Sequence, residues 1–157
     1  MEKELKMEPV KFITLPAFRV MGMEYVGNNA NQEISQLWQQ FNQRAGELKG
    51  EGKCAYGVCS MLPGSKAGWM EYVAGLKVSK DRECPQGMVF FDVPANTYAV
   101  FEHHGSMAGL RATYEGIMAW WKQSGRQPAG NYDIEVYDEK FLNFTPESVF
   151  YIYEPVK

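Results

Sequence analysis

The chain has 157 residues, the size of one compact domain, and its 45% hydrophobic content excludes a disordered or collagen-like chain. It has no apolar stretch long enough to span a membrane, and its charged N-terminus lacks the apolar core of a secretion signal, so we expect a cytoplasmic protein with no membrane partner. The net charge of −3 disfavours direct binding to nucleic acid, which requires a basic surface.

One sequence pattern occurs twice, in segments 15–27 and 93–105. Pro16-Ala17 in the first copy matches Pro94-Ala95 in the second at an offset of 78 residues (94 − 16). A glutamate and a glycine further along each copy match at the same offset. Because this offset is about half of the chain, the pattern indicates an internal duplication.

The first unit, residues 8–78, begins with a strand-like run over 15–27. A helix is predicted over 31–48, because apolar residues recur there at helical spacing opposite a glutamine-rich face. We expect the apolar face to pack in the core; it consists of Ile34, Leu37, Trp38, Phe41 and Leu48. Two strand-like runs follow at 54–59 and 69–78.

The second unit, residues 88–157, follows a charged linker at 79–87 and repeats this order. It has a strand-like run over 93–105, a helix over 107–123, and strand-like runs at 132–137 and 149–156. The helix has an apolar stripe that we expect to lie in the core, made of Leu110, Tyr114, Ile117 and Trp121.

One strand-helix-strand-strand unit is too small to bury a stable core by itself. We therefore predict an α+β fold, a single domain in which two β-α-β-β units are related by a pseudo-twofold axis and form antiparallel sheets. The two helices would flank a central cavity between the units, which is a common position for a ligand. Two separately folded small domains are the alternative.

Glu135 is the most informative single residue. It lies in the middle of a strand-like run, and alternation along the strand places it on the same face as Asp133 and Tyr137. If that face is exposed to solvent, Glu135 is an ordinary surface carboxylate. If the face lines the cavity, the carboxylate is desolvated and requires a partner, which a cationic ligand would provide.

Aromatic residues form 14% of the chain, and many of them fall on the strand-like runs. Rings facing one cavity could together form an aromatic cage for a cation. The candidate ligand-binding rings are Tyr56, Trp69, Tyr72, Tyr137, Tyr151, Tyr153 and Trp120. Tyr72 and Tyr151 fall at similar places in the two units. For each of these rings, the alternative is that it packs in an aromatic-rich core and does not contact a ligand.

No metal site or cofactor is expected. His103 and His104 are adjacent on a strand-like run, so they point to opposite faces and cannot both bind one metal ion. The three cysteines are Cys54, Cys59 and Cys84; they have no metal-ligand spacing and fit reduced thiols. The chain has no phosphate-binding loop, dinucleotide fingerprint or serine nucleophile elbow.

The chain resembles the GyrI-like effector-binding domain family, which includes the drug-binding domains of AraC- and MerR-type multidrug regulators. The resemblance extends over almost the whole chain from about Val10. The segments that carry it are 69–78, 93–105 (VPANTYAVFEHHG), Trp120-Trp121, 132–137 (YDIEVY) and 149–156.

The resemblance implies a duplicated fold around a cavity, with a buried glutamate that neutralises cationic aromatic ligands; the Ile-Glu-Val-Tyr motif assigns this role to Glu135. With no room for a helix-turn-helix before Val10, a stand-alone ligand-binding protein is expected, as an effector sensor or a sequestering protein. A transcription regulator, gyrase or a second copy of the chain could be a protein partner. Two alternatives remain open: a hydrolase of reactive electrophiles with Glu135 as general base, and a gyrase-inhibitor-like interaction protein.

Overall fold

The computed structural model describes residues 7–61 and 68–157. In these residues two α-helices accompany eight antiparallel strands that form one sheet. In chain order the elements are β1 (Lys11–Leu15), β2 (Phe18–Gly27), α1 (Glu33–Arg44), β3 (Ala55–Met61), β4 (Met70–Val78), β5 (Val89–Val93), β6 (Asn96–His104), α2 (Leu110–Ser124), β7 (Tyr132–Tyr137) and β8 (Val149–Val156). The predicted α+β class with antiparallel strands and two main helices is confirmed.

The two halves of the chain are related by the offset of 78 residues. Adding 78 to the bounds of β1 gives the bounds of β5, and the other elements agree to within two residues. The strand order is β1-β6-β8-β7-β3-β4-β2-β5, which is unchanged when the two halves are exchanged and the order is reversed. A pseudo-twofold axis therefore passes between β3 and β7, at the centre of the sheet.

Each unit contains one strand more than predicted. The sequence predicts a continuous strand from Leu15 and another from Val93, but Pro16-Ala17 and Pro94-Ala95 each separate two strands. Proline has no N–H to donate to a sheet ladder, so the chain leaves the sheet there and re-enters at a different position. As a result, β1 pairs with β6 of the other unit and β5 pairs with β2.

Both helices differ slightly from the predicted bounds. α1 begins at Glu33 and ends at Arg44, where a 3₁₀ turn, Ala45–Glu47, takes over, so it is shorter than the predicted 31–48. Gln32 precedes α1 with a left-handed φ of 60°. α2 ends before Gly125, whose φ of 68° is one that glycine adopts without strain, and this explains the end of the helix.

The sheet is strongly curled. Phe91 on the edge strand β5 lies 6.0 Å from Tyr132 on β7, although β7 is four strands away in the sheet order. In a flat sheet that separation would be about 19 Å, at roughly 4.8 Å per strand. The curled inner face encloses one hydrophobic core, which includes Val20, Val58 and Ile134.

The outer face of the sheet carries the two helices. Leu37 and Phe41 of α1 pack on β2 and β4, and Ile117 and Trp120 of α2 pack on β6 and β8. The helices therefore cover the two wings of the sheet and leave a groove above its central strands, β3 and β7. Within the described ranges, neither helix has the length and apolar character needed to cross a membrane.

Candidate functional site

Glu135 lies at the centre of the groove between the helices. It is in the middle of β7 and is only 7% exposed. Its Oε1 accepts hydrogen bonds from the hydroxyls of Tyr72 (2.6 Å) and Tyr137 (3.1 Å), and its Oε2 accepts one from the hydroxyl of Tyr114 (3.0 Å). The carboxylate is thus surrounded by three phenolic donors that come from β4, β7 and α2.

Trp38 of α1 closes the opposite side of this cluster. Its indole Nε1 donates to the hydroxyl of Tyr72 (2.9 Å), which itself donates to Glu135. The indole ring meets the ring of Tyr137 edge-on at 5.5 Å between centroids. Tyr137 also stacks on Phe150 at 4.7 Å. Both helices and strands β4, β7 and β8 therefore contribute to one aromatic cluster around the carboxylate.

Gly57 on β3 provides the space for this arrangement. It lies directly opposite Glu135 in the β3–β7 pairing. A Cβ at position 57 would overlap the hydroxyl of Tyr72 and would lie 2.9 Å from Oε1 of Glu135. Positions 57 and 135 are related by the offset of 78, so the two units differ where they meet: one supplies a carboxylate and the other supplies room for it.

Burial sets the acid–base character of the cluster. Desolvation raises the pKa of Glu135, and the hydrogen bonds from the three tyrosines oppose this rise. Desolvation and the nearby Glu135 charge raise the pKa values of Tyr72, Tyr114 and Tyr137 well above the usual range. The tyrosines therefore stay protonated, and their hydroxyls remain donors to the carboxylate.

Two further carboxyl groups lie beside Glu135. Asp133 is two residues away on the same face of β7. Ile134 pairs with Tyr153 of β8, so one step further along the antiparallel strands Asp133 lies opposite Glu154. Burial, and then the charges of Glu154 and Glu135, raise the pKa of Asp133 well above its usual range. Burial raises the pKa of Glu154 to about 7. In the free protein this pair therefore retains a proton into the neutral range.

The pair makes stability depend on pH. A carboxyl whose pKa is higher in the folded state contributes stability below its unfolded pKa, and this contribution is lost as the pH rises through its folded pKa. We expect Asp133→Asn to raise the midpoint of thermal unfolding at about pH 8, by ~2–4 °C for each kcal/mol gained. The effect should be smaller at about pH 5. Scanning calorimetry of both proteins at both pH values would measure this difference, with the exposed Glu147→Gln variant as control. Equal unfolding midpoints for Asp133→Asn and the wild type at about pH 8 would contradict the prediction.

The structure brings only part of the predicted ring set to Glu135. Tyr72 and Tyr137 contact the carboxylate directly. Tyr56, Tyr151 and Tyr153 alternate to the inner face, where they pack against the enclosed core instead. The predicted single cage is corrected to this extent, because neighbouring positions on a strand point to opposite faces.

The two predicted tryptophans also lie outside the cluster. Trp120 is buried in α2 and packs edge-on against Phe101 at 5.2 Å, as part of the core under that helix. Trp69 lies just before Met70, the first residue of β4, and is half-buried. We find neither of these rings in contact with Glu135 among the described residues.

Two members of the cluster were missed by sequence reasoning, which assigned Trp38 and Tyr114 to the core. Both are on the apolar stripe of their helix, and helical spacing does not separate rings that pack on the sheet from rings that face the groove. The available signal was symmetry, since two helices related by a twofold axis present one edge each to the same central groove.

A small pocket lies on the inner face of the sheet, away from Glu135. It has a volume of about 150 Å³ and a mainly apolar lining. The lining residues include Phe18, Tyr56, Ile134 and Tyr153. At Glu135, by contrast, the rings of Trp38, Tyr72 and Tyr137 lie against one another beside the buried carboxylate.

His103 has structural contacts. It is buried, with its ring nitrogens 2.8 Å from the hydroxyl of Thr113 and 2.8 Å from the carbonyl oxygen of Ser106. These contacts connect β6 to the start of α2. Within residues 7–61 and 68–157, no group of three or more histidine, cysteine or acidic side chains is arranged to hold a metal ion.

Comparisons with known proteins agree with this geometry. A family model described as GyrI-like small molecule binding domain matches residues 8–157. The transcriptional regulator BrlR of Pseudomonas aeruginosa is 35% identical over 150 residues, which are 93% of this chain and 54% of BrlR. The chain thus spans about half the length of this relative.

Solved structures with the same fold carry different descriptions. SAV2435, solved bound to tetraphenylphosphonium, superposes with a TM-score of 0.73 at 19% identity, covering 94% of this chain and 93% of that chain. A hydrolase from Listeria innocua superposes with a TM-score of 0.60 at 13% identity, covering 97% of this chain and 93% of that one. At these identities the likeness shows the fold alone.

Proposed function

The chain belongs to the GyrI-like small molecule binding domain family, and from its site we propose that it binds lipophilic aromatic cations in the groove between α1 and α2. The observation that carries the proposal is a desolvated carboxylate, Glu135, held among aromatic rings at the centre of the groove. A cation placed there would neutralise a charge that is expensive to bury alone. Its specificity would come from charge and aromatic surface rather than from directional hydrogen bonds.

The aromatic walls support the same ligand class. Ring faces attract a desolvated cation by about 2 kcal/mol. Beside the carboxylate, the ring of Trp38 meets the rings of Tyr72 and Tyr137 edge-on, at 6.4 Å and 5.5 Å between centroids. Because the indole of Trp38 lies against Tyr72 and Tyr137, we propose that an incoming ligand displaces this half-buried ring, breaks its hydrogen bond to Tyr72 and stacks in the vacated space.

The contacts of Glu135 suit a fixed counter-charge. Its carboxylate accepts three hydrogen bonds from tyrosine hydroxyls, which stabilise the ionised form and oppose the rise in pKa that burial causes. We propose a cytoplasmic effector-binding or sequestering role, in keeping with the regulator relative and the ligand-bound neighbour.

Tetraphenylphosphonium and tetraphenylborate are a matched pair of probes for this proposal, because they have nearly the same shape and opposite charges. Isothermal titration calorimetry should show saturable binding of the cation, with an affinity at least about tenfold above that of the anion, or ~1.4 kcal/mol. Equal affinities would show that the groove selects shape and not charge. No binding of the cation would refute the proposed function.

A further inference from the structure

The floor of the groove continues past Glu135 to a second acidic group. Asp133 and Glu135 are on the same face of β7, with their Cα atoms about 7 Å apart at roughly 3.3 Å per residue. Glu154 on β8 lies beside Asp133 across the strand pairing. Tyr114 of α2 lies above both positions: its hydroxyl donates to Glu135, and the charge of Asp133 acts on its pKa.

The hydrogen bonds in the groove are unevenly distributed between these acids. Glu135 has three hydroxyl donors, whereas Oδ1 of Asp133 is shielded from solvent and has no hydrogen-bond partner among the described residues. A buried acceptor without a donor is unfavourable, because it has lost its contact with water and gained none in return. The groove therefore contains one carboxylate with hydroxyl donors and, next to it, the carboxyl pair of Asp133 and Glu154, which bond to each other and leave Oδ1 of Asp133 without a partner in the described part of the chain.

We propose that Asp133 and Glu154 form a second cation subsite, so that the groove binds flat ligands with two cationic centres about 7 Å apart. One cationic centre would lie at Glu135 and the other at the Asp133–Glu154 pair. The proposal rests on the proposed function, because it assigns a ligand class to the same groove.

The charges around the pair agree with this role. In the part of the chain that the structure describes, the titratable groups that act on it include Glu135 on its own strand, Cys59 on β3 and Tyr114 on α2. None of these is basic, so in the free protein a retained proton is what relieves the repulsion between Asp133 and Glu154. A ligand cation would replace that proton, and binding would then release it to the solvent.

The experiment compares methyl viologen, a flat dication with a similar spacing between its charges, with 1-methyl-4-phenylpyridinium, a monocation of nearly the same shape. At about pH 6.5 the dication should bind the wild-type protein at least about tenfold more tightly. In Asp133→Asn this ratio should fall close to one. Titrations in phosphate and in Tris, which differ in heat of ionisation, should show protons released by the dication and not by the monocation.

The exposed Glu147→Gln variant is the charge-matched control and should keep the wild-type ratio. Equal affinities of the two probes for the wild-type protein would overturn the second subsite and leave the proposed function standing. A ratio unchanged by Asp133→Asn would also overturn it. If neither probe binds while tetraphenylphosphonium does, the second subsite fails and the proposed function stands; if tetraphenylphosphonium does not bind either, both fail.

Discussion

The Glu135→Gln variant should keep its fold and lose about 10- to 100-fold of its affinity for tetraphenylphosphonium, as expected when a buried charged partner is removed. Glutamine has the same shape, and its side-chain oxygen still accepts a hydrogen bond from Tyr72 or Tyr114. What disappears is the counter-charge, so a cation in the groove would be desolvated without compensation. Calorimetric titration measures the affinity, and near-ultraviolet circular dichroism checks the aromatic packing.

The control is again Glu147→Gln, which makes the same change in net charge at an exposed position. Its affinity should match that of the wild-type protein, because solvent and salt screen a surface charge. If Glu135→Gln binds the cation as tightly as the wild type, the buried carboxylate has no part in recognition. Equal weakening in both variants would mean that net charge alone attracts the ligand.

Much of the fold follows from the sequence because the duplication is visible there. The offset read from two proline-containing segments is the offset that relates the strands and helices of the structure. The antiparallel α+β class follows from the same repeat. The extra strand in each unit does not, since a proline inside an apolar run can mark either a bend in one strand or the boundary between two.

The site is less predictable, because it depends on the register of the strands. Tyr72 and Tyr151 look equivalent in the two units, but the offset of 78 relates Tyr72 to Phe150. A difference of one residue moves a side chain to the other face of the sheet. Tyr151 therefore faces inward, while Phe150 stacks on Tyr137 beside the carboxylate. For Glu135, alternation along the strand allowed either an exposed or a buried carboxylate, and the resemblance of the Ile-Glu-Val-Tyr motif favoured the buried one that the structure has.

The Gly57→Ala variant should unfold about 1–3 kcal/mol more easily than the wild-type protein, the usual effect of adding a methyl group to a packed core. Its Cβ would overlap the hydroxyl of Tyr72 and push that ring away from Glu135. The carboxylate would lose its shortest hydrogen bond, at 2.6 Å, and Trp38 would lose its acceptor. Chemical denaturation measures the stability, and titration with tetraphenylphosphonium measures the accompanying loss of affinity.

A second substitution tests whether the overlap is the cause. Tyr72→Phe removes the hydroxyl that the new Cβ would meet, so Gly57→Ala should be less destabilising in that background than in the wild type. Gly46→Ala is the matched control, because a Cβ there has no neighbour within 4 Å. An equal effect of Gly57→Ala in both backgrounds would show that flexibility of β3, and not the space beside Glu135, requires glycine. Recovery in the double variant would identify Gly57 as the residue through which one unit accommodates the carboxylate of the other.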